Sequence, residues 1–339
     1  MDVAATAPVK NLTDGFGRRI SYLRISVTDR CDLRCRYCMS EAMTFQPKSE
    51  ILSLEEIAAL ADAFIARGVR KIRLTGGEPL IRRGVPDLAR MIGRHLDTGA
   101  LDELTLTTNG TNLARQAEAL HAAGIRRINV SLDTIDADRF RHITRWGDLS
   151  KVLEGIAAAQ AAGIAVKINM VALKGLNEDA VEPMLRWCAG QGHDLTLIET
   201  MPLGSIDEDR VDRYLPLDAV KRDLESRFTL APIPHRTGGP ARYWNVEELG
   251  VRLGLITPLT NNFCDGCNRV RVTATGSLYM CLGHGERVDL RAALREGGPE
   301  ALDAALDEAM VLKPLRHAFH IGARGARPAV ERHMSVTGG

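Results

Sequence analysis

Apolar and polar positions alternate with period two in six short stretches of the chain, at 22–28, 71–76, 103–109, 127–133, 165–173 and 195–201. Between these stretches apolar residues recur every three to four positions, as in LSLEEIAALADAFIARG, where Ser53 and Glu56 form a capping box. The alternation predicts strands followed by helices, hence a parallel sheet with right-handed crossovers. Six such units predict an α/β fold, an incomplete (β/α)6 version of the eight-stranded TIM barrel. Past 205 the pattern weakens: 206–245 predicts loops and a helix, 250–282 short strands, and the rest polar helical sequence. The predicted division is a disordered tail at 1–12, a partial barrel at 13–205 and a C-terminal α+β extension at 206–339.

The two faces of the predicted strands differ. Leu23, Ile25 and Val27, Ile72 and Leu74, Leu104 and Leu106, Val130 and Leu132, and Ile168 and Met170 share one face. The other carries Arg24, Ser26 and Thr28; Arg73 and Thr75; Thr105, Thr107 and Asn109; Asn129, Ser131 and Asp133; Lys167 and Asn169. A closed barrel packs its lumen with branched aliphatic side chains. Buried unpaired charges cost several kcal/mol each, so a polar face is either solvated on an open sheet or lines a cavity that takes a polar ligand. The cavity is the expectation adopted here.

The 339 residues carry 44 Lys and Arg against 43 Asp and Glu, which excludes a globally basic nucleic-acid binder but not a local cationic pocket. No run is long and apolar enough to span a bilayer, and MDVAATAPVK has neither the apolar core of a signal peptide nor the Arg of a transit peptide. Seven cysteines, an odd count with metal-like spacings, predict a reducing cytoplasm and not a disulfide framework.

Six of these cysteines form two groups of three, Cys31, Cys35 and Cys38, and Cys264, Cys267 and Cys281. Structural zinc and electron-carrying iron–sulfur clusters take four protein ligands. Three thiolates on a four-iron cube leave one iron open to substrate or cofactor. The first group follows the first strand, on the loop side where barrel active sites sit. A zinc knuckle there lacks a nearby fourth ligand; at the second group a zinc-stapled hairpin could recruit His284. Arg269 and Arg271, two apart on a strand, point the same way and suit bidentate phosphate binding. With Arg24, Arg73 and Lys167 they bring about five positive charges to one cavity if the fold gathers them, a match for a triphosphate.

Cys-x3-Cys-x2-Cys with Tyr37 before the last cysteine resembles the radical S-adenosylmethionine (SAM) superfamily, as does Gly76-Gly77-Glu78-Pro79 after a strand. SYLRISVTDRCDLRCRYCM, TGGEPL, TTNG, NVSLD, Cys264-x2-Cys267-Asn-Arg-x-Arg with Cys281, and the terminal Gly338-Gly339 together resemble the GTP 3′,8-cyclase family, from about Leu12 to the end.

That resemblance implies a lyase of molybdenum cofactor biosynthesis with two [4Fe–4S] clusters. Cys31, Cys35 and Cys38 would hold the cluster that binds and reductively cleaves SAM. Cys264, Cys267 and Cys281 would hold the one that binds GTP. Tyr37 (through its backbone), Gly77, Ser131 and Met201 would contact SAM. Arg24, Arg73, Thr107, Lys167, Arg269, Val270 (by backbone or packing) and Arg271 would contact GTP. Arg269, Arg271 and the double glycine Gly338-Gly339 would serve catalysis. The implied reaction abstracts the ribose 3′ hydrogen with a 5′-deoxyadenosyl radical and joins C3′ to guanine C8. Its partners would be an external one-electron reductant and the downstream cyclic pyranopterin monophosphate synthase, with no nucleic acid or membrane, in a monomer or homodimer.

Competing readings are a two-cluster radical enzyme acting on a peptide, an electron-transfer iron–sulfur protein, and a barrel enzyme with structural zinc. Cys188 reads as a small buried hydrophobe. Lys151, Lys174 and the arginine pairs 18–19, 82–83 and 126–127 read as solvated faces.

Overall fold

The computed structural model describes residues 10–338. Its first six strands are β1 (Tyr22–Ser26), β2 (Lys71–Thr75), β3 (Glu103–Thr108), β4 (Arg127–Ser131), β5 (Ala165–Ala172) and β6 (Asp194–Glu199), each within two residues of the sequence expectation at either end. Each pairs in parallel with the next, and helices cross between them, as Leu54–Ala66 does from β1 to β2. That helix starts at the expected cap: the Ser53 hydroxyl accepts from Glu56 N while the Glu56 carboxylate accepts from Ser53 N.

The C-terminal part is not a separate layer. β7 (Leu230–Ile233), β8 (Arg242–Val246) and β9 (Val251–Ile256) join the same sheet beside β6, and β10 (Arg269–Val272), β11 (Ser277–Tyr279) and β12 (Arg287–Asp289) join it beside β1. The order is β12-β11-β10-β1-β2-β3-β4-β5-β6-β9-β8-β7, a mostly parallel twelve-stranded sheet. The loops expected over 206–245 therefore include two strands, which the prolines and glycines of that stretch obscure. The polar sequence after 282 holds the helix Gly298–Leu312, but 313–333 is largely irregular. The sequence after Lys313 is rich in glycine, proline and histidine, with no apolar period to hold a helix.

Of the segment 1–12 expected as a tail, 1–9 lie outside the described residues. Leu12 is fully buried and bonds the backbone of Arg67 and Ile20, so the fold takes hold there. One face of the sheet buries Ile72, Leu74, Leu104, Leu106, Val130 and Ile168 completely or nearly so against helix residues such as Leu60 and Phe64. A fully buried side chain of this size contributes roughly 1.5–3 kcal/mol. The polar face is buried as well: Arg73 and Lys167 are each 6% exposed, so it is not the solvated face of an open sheet.

Two of the arginines read as solvated are not. The Arg18 guanidinium donates to the carbonyls of Cys264, Pro314 and Leu315, and Arg82 donates to those of Val27 and Leu52. Both tie loop backbone that the strands leave unpaired. Cys188 is buried, as expected.

Candidate active site: two joined chambers

The loop after β1 carries the first cysteine triad, and its shape comes from neighbouring strand ends. Cys38 N and Met39 N both bond to the Cys35 carbonyl, turning the chain so that the triad faces inward. The Asp32 carboxylate accepts from Asn109 Nδ2 at 2.7 Å and Asn112 Nδ2 at 3.0 Å, fastening the loop to the end of β3. Gly77 fixes its other side: a Cβ there would stand 2.2 Å from the Arg30 carbonyl oxygen, inside any tolerable contact. The glycine motif thus serves the chain itself, letting the end of β2 press against the stretch that leads into Cys31. Glu78 locks it, its buried carboxylate accepting from Leu80 N, Thr108 Oγ1 and Asn109 N at 2.6–2.9 Å. Burial still raises its acid to about 7.

The triad opens onto a first chamber lined also by Tyr37, Gly77, Thr107, Ser131 and Met201, all expected site residues. The Asp133 carboxylate reaches its wall, and no Lys or Arg among the described residues does; Glu199 borders it, but its carboxylate is taken up by Leu217 N, Leu259 N and Thr260. Asp133 accepts from the Tyr37 hydroxyl and from Val171 N, each at 2.8 Å, and burial raises its acid to about 6. Burial raises all three thiols, Cys38 to about 11.

The second triad comes from both sides of a hairpin: Cys264 and Cys267 precede β10, and Cys281 follows β11. β10 pairs in parallel with β1, setting Arg271 beside Arg24, and β1 with β2 sets Arg24 beside Arg73. A second chamber therefore collects Arg24, Arg73, Lys167, Arg269 and Arg271 with the three cysteines, and no carboxylate lines it among the described residues. Burial and mutual repulsion lower the pKa of Arg24 and Lys167, and of Arg271 to about 10. Burial raises the Cys267 thiol, but Arg269 and Lys313 outweigh that and bring it to about 7. Five crowded cations on a wall without a carboxylate are costly by themselves and suit an anion.

The chambers adjoin, sharing Asn169, Ile198, Met201 and Met334 on their walls. Thr107 lines the first, and its hydroxyl accepts from Arg73 Nη1 at 2.9 Å. The Val270 side chain points away into the apolar core, leaving only its backbone near the second. Gly338 lies against β2: a Cβ there would be 2.1 Å from Thr75 Cγ2, and its φ of +74° suits glycine. Gly339 lies outside the described residues. His284 sits in a loop bonded to the Arg316 carbonyl and lines neither chamber.

Sequence reasoning missed several lining or supporting groups. Lys313 is buried and bridges the Arg269 and Met280 carbonyls at 3.0 and 2.7 Å, with its ammonium 3.8 Å from Cys267 Sγ. Phe263, His317 and Phe319 line the second chamber. Nothing in the local spacing marks Lys313; its role arises from where the chain returns after its last long helix.

Among the described residues no three His, Cys, Asp or Glu side chains meet closely enough to hold one metal ion. Each triad sits around a space, as a polynuclear cluster needs when each thiolate binds a different iron. Buried Arg73 Nε and Arg271 Nε without partners fit an anionic ligand beside the second triad.

Residues 25–188 match the radical SAM superfamily, and residues 193–319 match the family described as Molybdenum Cofactor Synthesis C. A GTP 3′,8-cyclase of Erythrobacter litoralis (strain HTCC2594) is 63% identical over 97% of this chain and 98% of its own length. One of Rhizobium etli (strain CIAT 652) is 61% identical over 97% of this chain and 94% of its own. Among solved structures, Streptococcus suis SuiB bound to precursor peptide SuiA superposes with a TM-score of 0.62 at 12% identity, over 86% of this chain and 66% of that one. In other SuiB structures the chain spans as little as 63% of the SuiB chain. Native anSMEcpe with bound AdoMet gives 0.60 at 15% identity, over 86% of this chain and 82% of that one. At those identities the structures speak for the fold alone, a radical SAM α/β fold. Near-full-length identity above 60%, joined to two cysteine triads on adjoining chambers, makes the chain a member of the GTP 3′,8-cyclase family.

Proposed function

We propose that this chain converts GTP to (8S)-3′,8-cyclo-7,8-dihydroguanosine 5′-triphosphate, the first step of molybdenum cofactor biosynthesis. The carrying observation is that a chamber with Asp133 on its wall adjoins one with five cations, each bearing a cysteine triad. A sulfonium cofactor suits the first chamber and a triphosphate the second. A peptide substrate would leave the cationic wall without a purpose.

In this reading 13–205 is a partial barrel whose polar lumen is the reaction space, and 206–339 completes that space and carries the second cluster. The cysteine triads hold two [4Fe–4S] clusters, which when bound supply the electron that cleaves SAM and an open iron for guanine. Tyr37, Gly77, Ser131 and Met201 orient SAM. Arg24, Arg73, Thr107 and Lys167 anchor the triphosphate, with Arg269, Arg271 and the Val270 backbone beside the second triad. Anchoring the distant phosphates positions C3′, so binding energy goes into geometry. Met334 lies at the junction of the chambers and Gly338 packs on Thr75, and the double glycine Gly338-Gly339 serves catalysis in this reading. A one-electron reductant acts from outside, in a reducing cytoplasm, and cyclic pyranopterin monophosphate synthase takes the product.

The test is anaerobic incubation of the iron–sulfur-reconstituted chain with SAM, dithionite and GTP, followed by mass spectrometry. One hydrogen leaves C3′ while one electron and one proton return, so the product keeps the mass of GTP but elutes apart from it. 5′-Deoxyadenosine formed with GTP unaltered overturns the substrate assignment.

A further inference from the structure

A cleft of about 470 Å³ opens where the strands begin, beside Tyr22, Lys71, Glu103, Arg127 and Asp194, and neither cysteine triad lines it. Arg70, Lys71, Arg127, Arg236 and Arg252 face it against three carboxylates, with Lys167 shared with the second chamber, so its positive charge exceeds its negative. Asp102 pairs with Arg70 at 2.5 Å, Asp194 with Arg252 at 2.9 Å, and Glu103 is shared by Lys71 and Arg127. Arg127 Nη1 stays buried without a hydrogen-bond partner, and Arg236 is exposed.

Only a thin partition separates this cleft from the second chamber, since Tyr22, Lys167 and Thr237 line both. The partition is the 234–241 connection between β7 and β8, which are antiparallel neighbours. Hairpin connections need only about 2–5 residues, and this one is longer than its joining task requires. It is held lightly. Lys71 Nζ donates to the Thr237 carbonyl at 2.5 Å, and the Thr237 and Tyr243 hydroxyls meet at 3.2 Å. Gly238, at φ +68°, and Gly239 follow, giving the segment freedom to swing. Arg24 and Arg73 lie two residues further along their strands than Tyr22 and Lys71, ~6.6 Å inside.

We propose that this cleft is a second anion site, the port where the polyphosphate end of a nucleotide docks before displacing the 234–241 partition and entering the second chamber. The inference rests on reading that chamber as the nucleotide site. A cleft with excess positive charge raises the local concentration of a polyanion and its rate of entry.

Arg236 lines neither chamber and tests the port without touching the reaction space. In Arg236→Glu, kcat/KM for GTP falls about tenfold while kcat moves less than about twofold, and the ionic-strength dependence of kcat/KM flattens. Arg236→Lys keeps wild-type values, and both variants keep the wild-type iron content. If Arg236→Glu retains the wild-type kcat/KM and its salt dependence, the port is overturned while the nucleotide site stands. If the wild-type chain binds no GTP by calorimetry, the nucleotide reading fails and the port with it.

Discussion

The two chambers contain the same metal-binding chemistry in opposite electrostatic settings. Among the described residues, the wall of the first chamber carries Asp133 and no Lys or Arg, and the wall of the second carries five cations and no carboxylate. Burial raises every thiol of the first triad; at the second it also raises Cys281, but Arg269 and Lys313 bring Cys267 to about 7. Under the proposed function, this contrast would keep each chamber from taking the other's ligand. A cation is repelled from the second, and a polyanion from the first.

Removing ligands gives the largest effect. Cys35→Ala abolishes 5′-deoxyadenosine formation, whereas Cys267→Ala still forms it but yields no cyclised nucleotide. Each retains about four of about eight irons per chain after reconstitution. Loss of both products in Cys267→Ala would mean that the chambers are not separable.

Charge removal comes next and is reciprocal. Arg73→Gln weakens GTP binding by roughly 10–100-fold, the 1.5–3 kcal/mol typical of a hydrogen bond to a charged group, and leaves SAM binding unchanged. Asp133→Asn weakens SAM binding several-fold and spares GTP. Calorimetry with each ligand reads both arms, and crossed effects would break the electrostatic division.

Gly338→Ala sharpens the junction between the chambers. The new Cβ meets Thr75 Cγ2, so the tail must withdraw and product formation falls about tenfold, an energetic cost of about 1.4 kcal/mol. Thr75→Ala removes that methyl together with the hydroxyl oxygen that would stand 2.6 Å from the new Cβ, and the double variant recovers part of the loss. No recovery would place the cost in the backbone conformation instead.

The smallest effect concerns Tyr22. Burial would raise its phenol, but Arg73, Arg24, Lys71 and Arg269 outweigh it and lower the pKa to about 8. The folded state then holds fewer protons than the unfolded one between about pH 8 and 10, so this group's stabilisation grows across that window and is lost as pH falls through 8. Phenolate absorbance should show a titration near pH 8 that Tyr22→Phe lacks. Inorganic tripolyphosphate, by neutralising the cations, should move it upward.

Much of this was legible before folding. The period-two stretches located β1 to β6 because side chains of a strand must alternate between faces, and Arg24, Arg73 and Lys167 stood out as charges on faces that ordinary barrels keep apolar. The cysteine spacings told which thiols act together, since local loops hold them. β7 and β8 escaped notice because Pro232 and the glycines of 238–239 break the alternation on which such reading relies. Lys313, Phe263 and the acidic character of the first chamber escaped because each depends on groups brought together from distant segments.

Sequence alone determined which residues could bind metal, which strands carry charge inward, and that each cysteine group has three members. Tertiary structure decided that β10 lies against β1. That pairing, made between residues some 250 apart, brings Arg271 beside Arg24 and so turns scattered cations into one wall. Long-range pairing leaves no local signature, because its free energy resides in the contacts of the assembled sheet and in neither partner strand by itself.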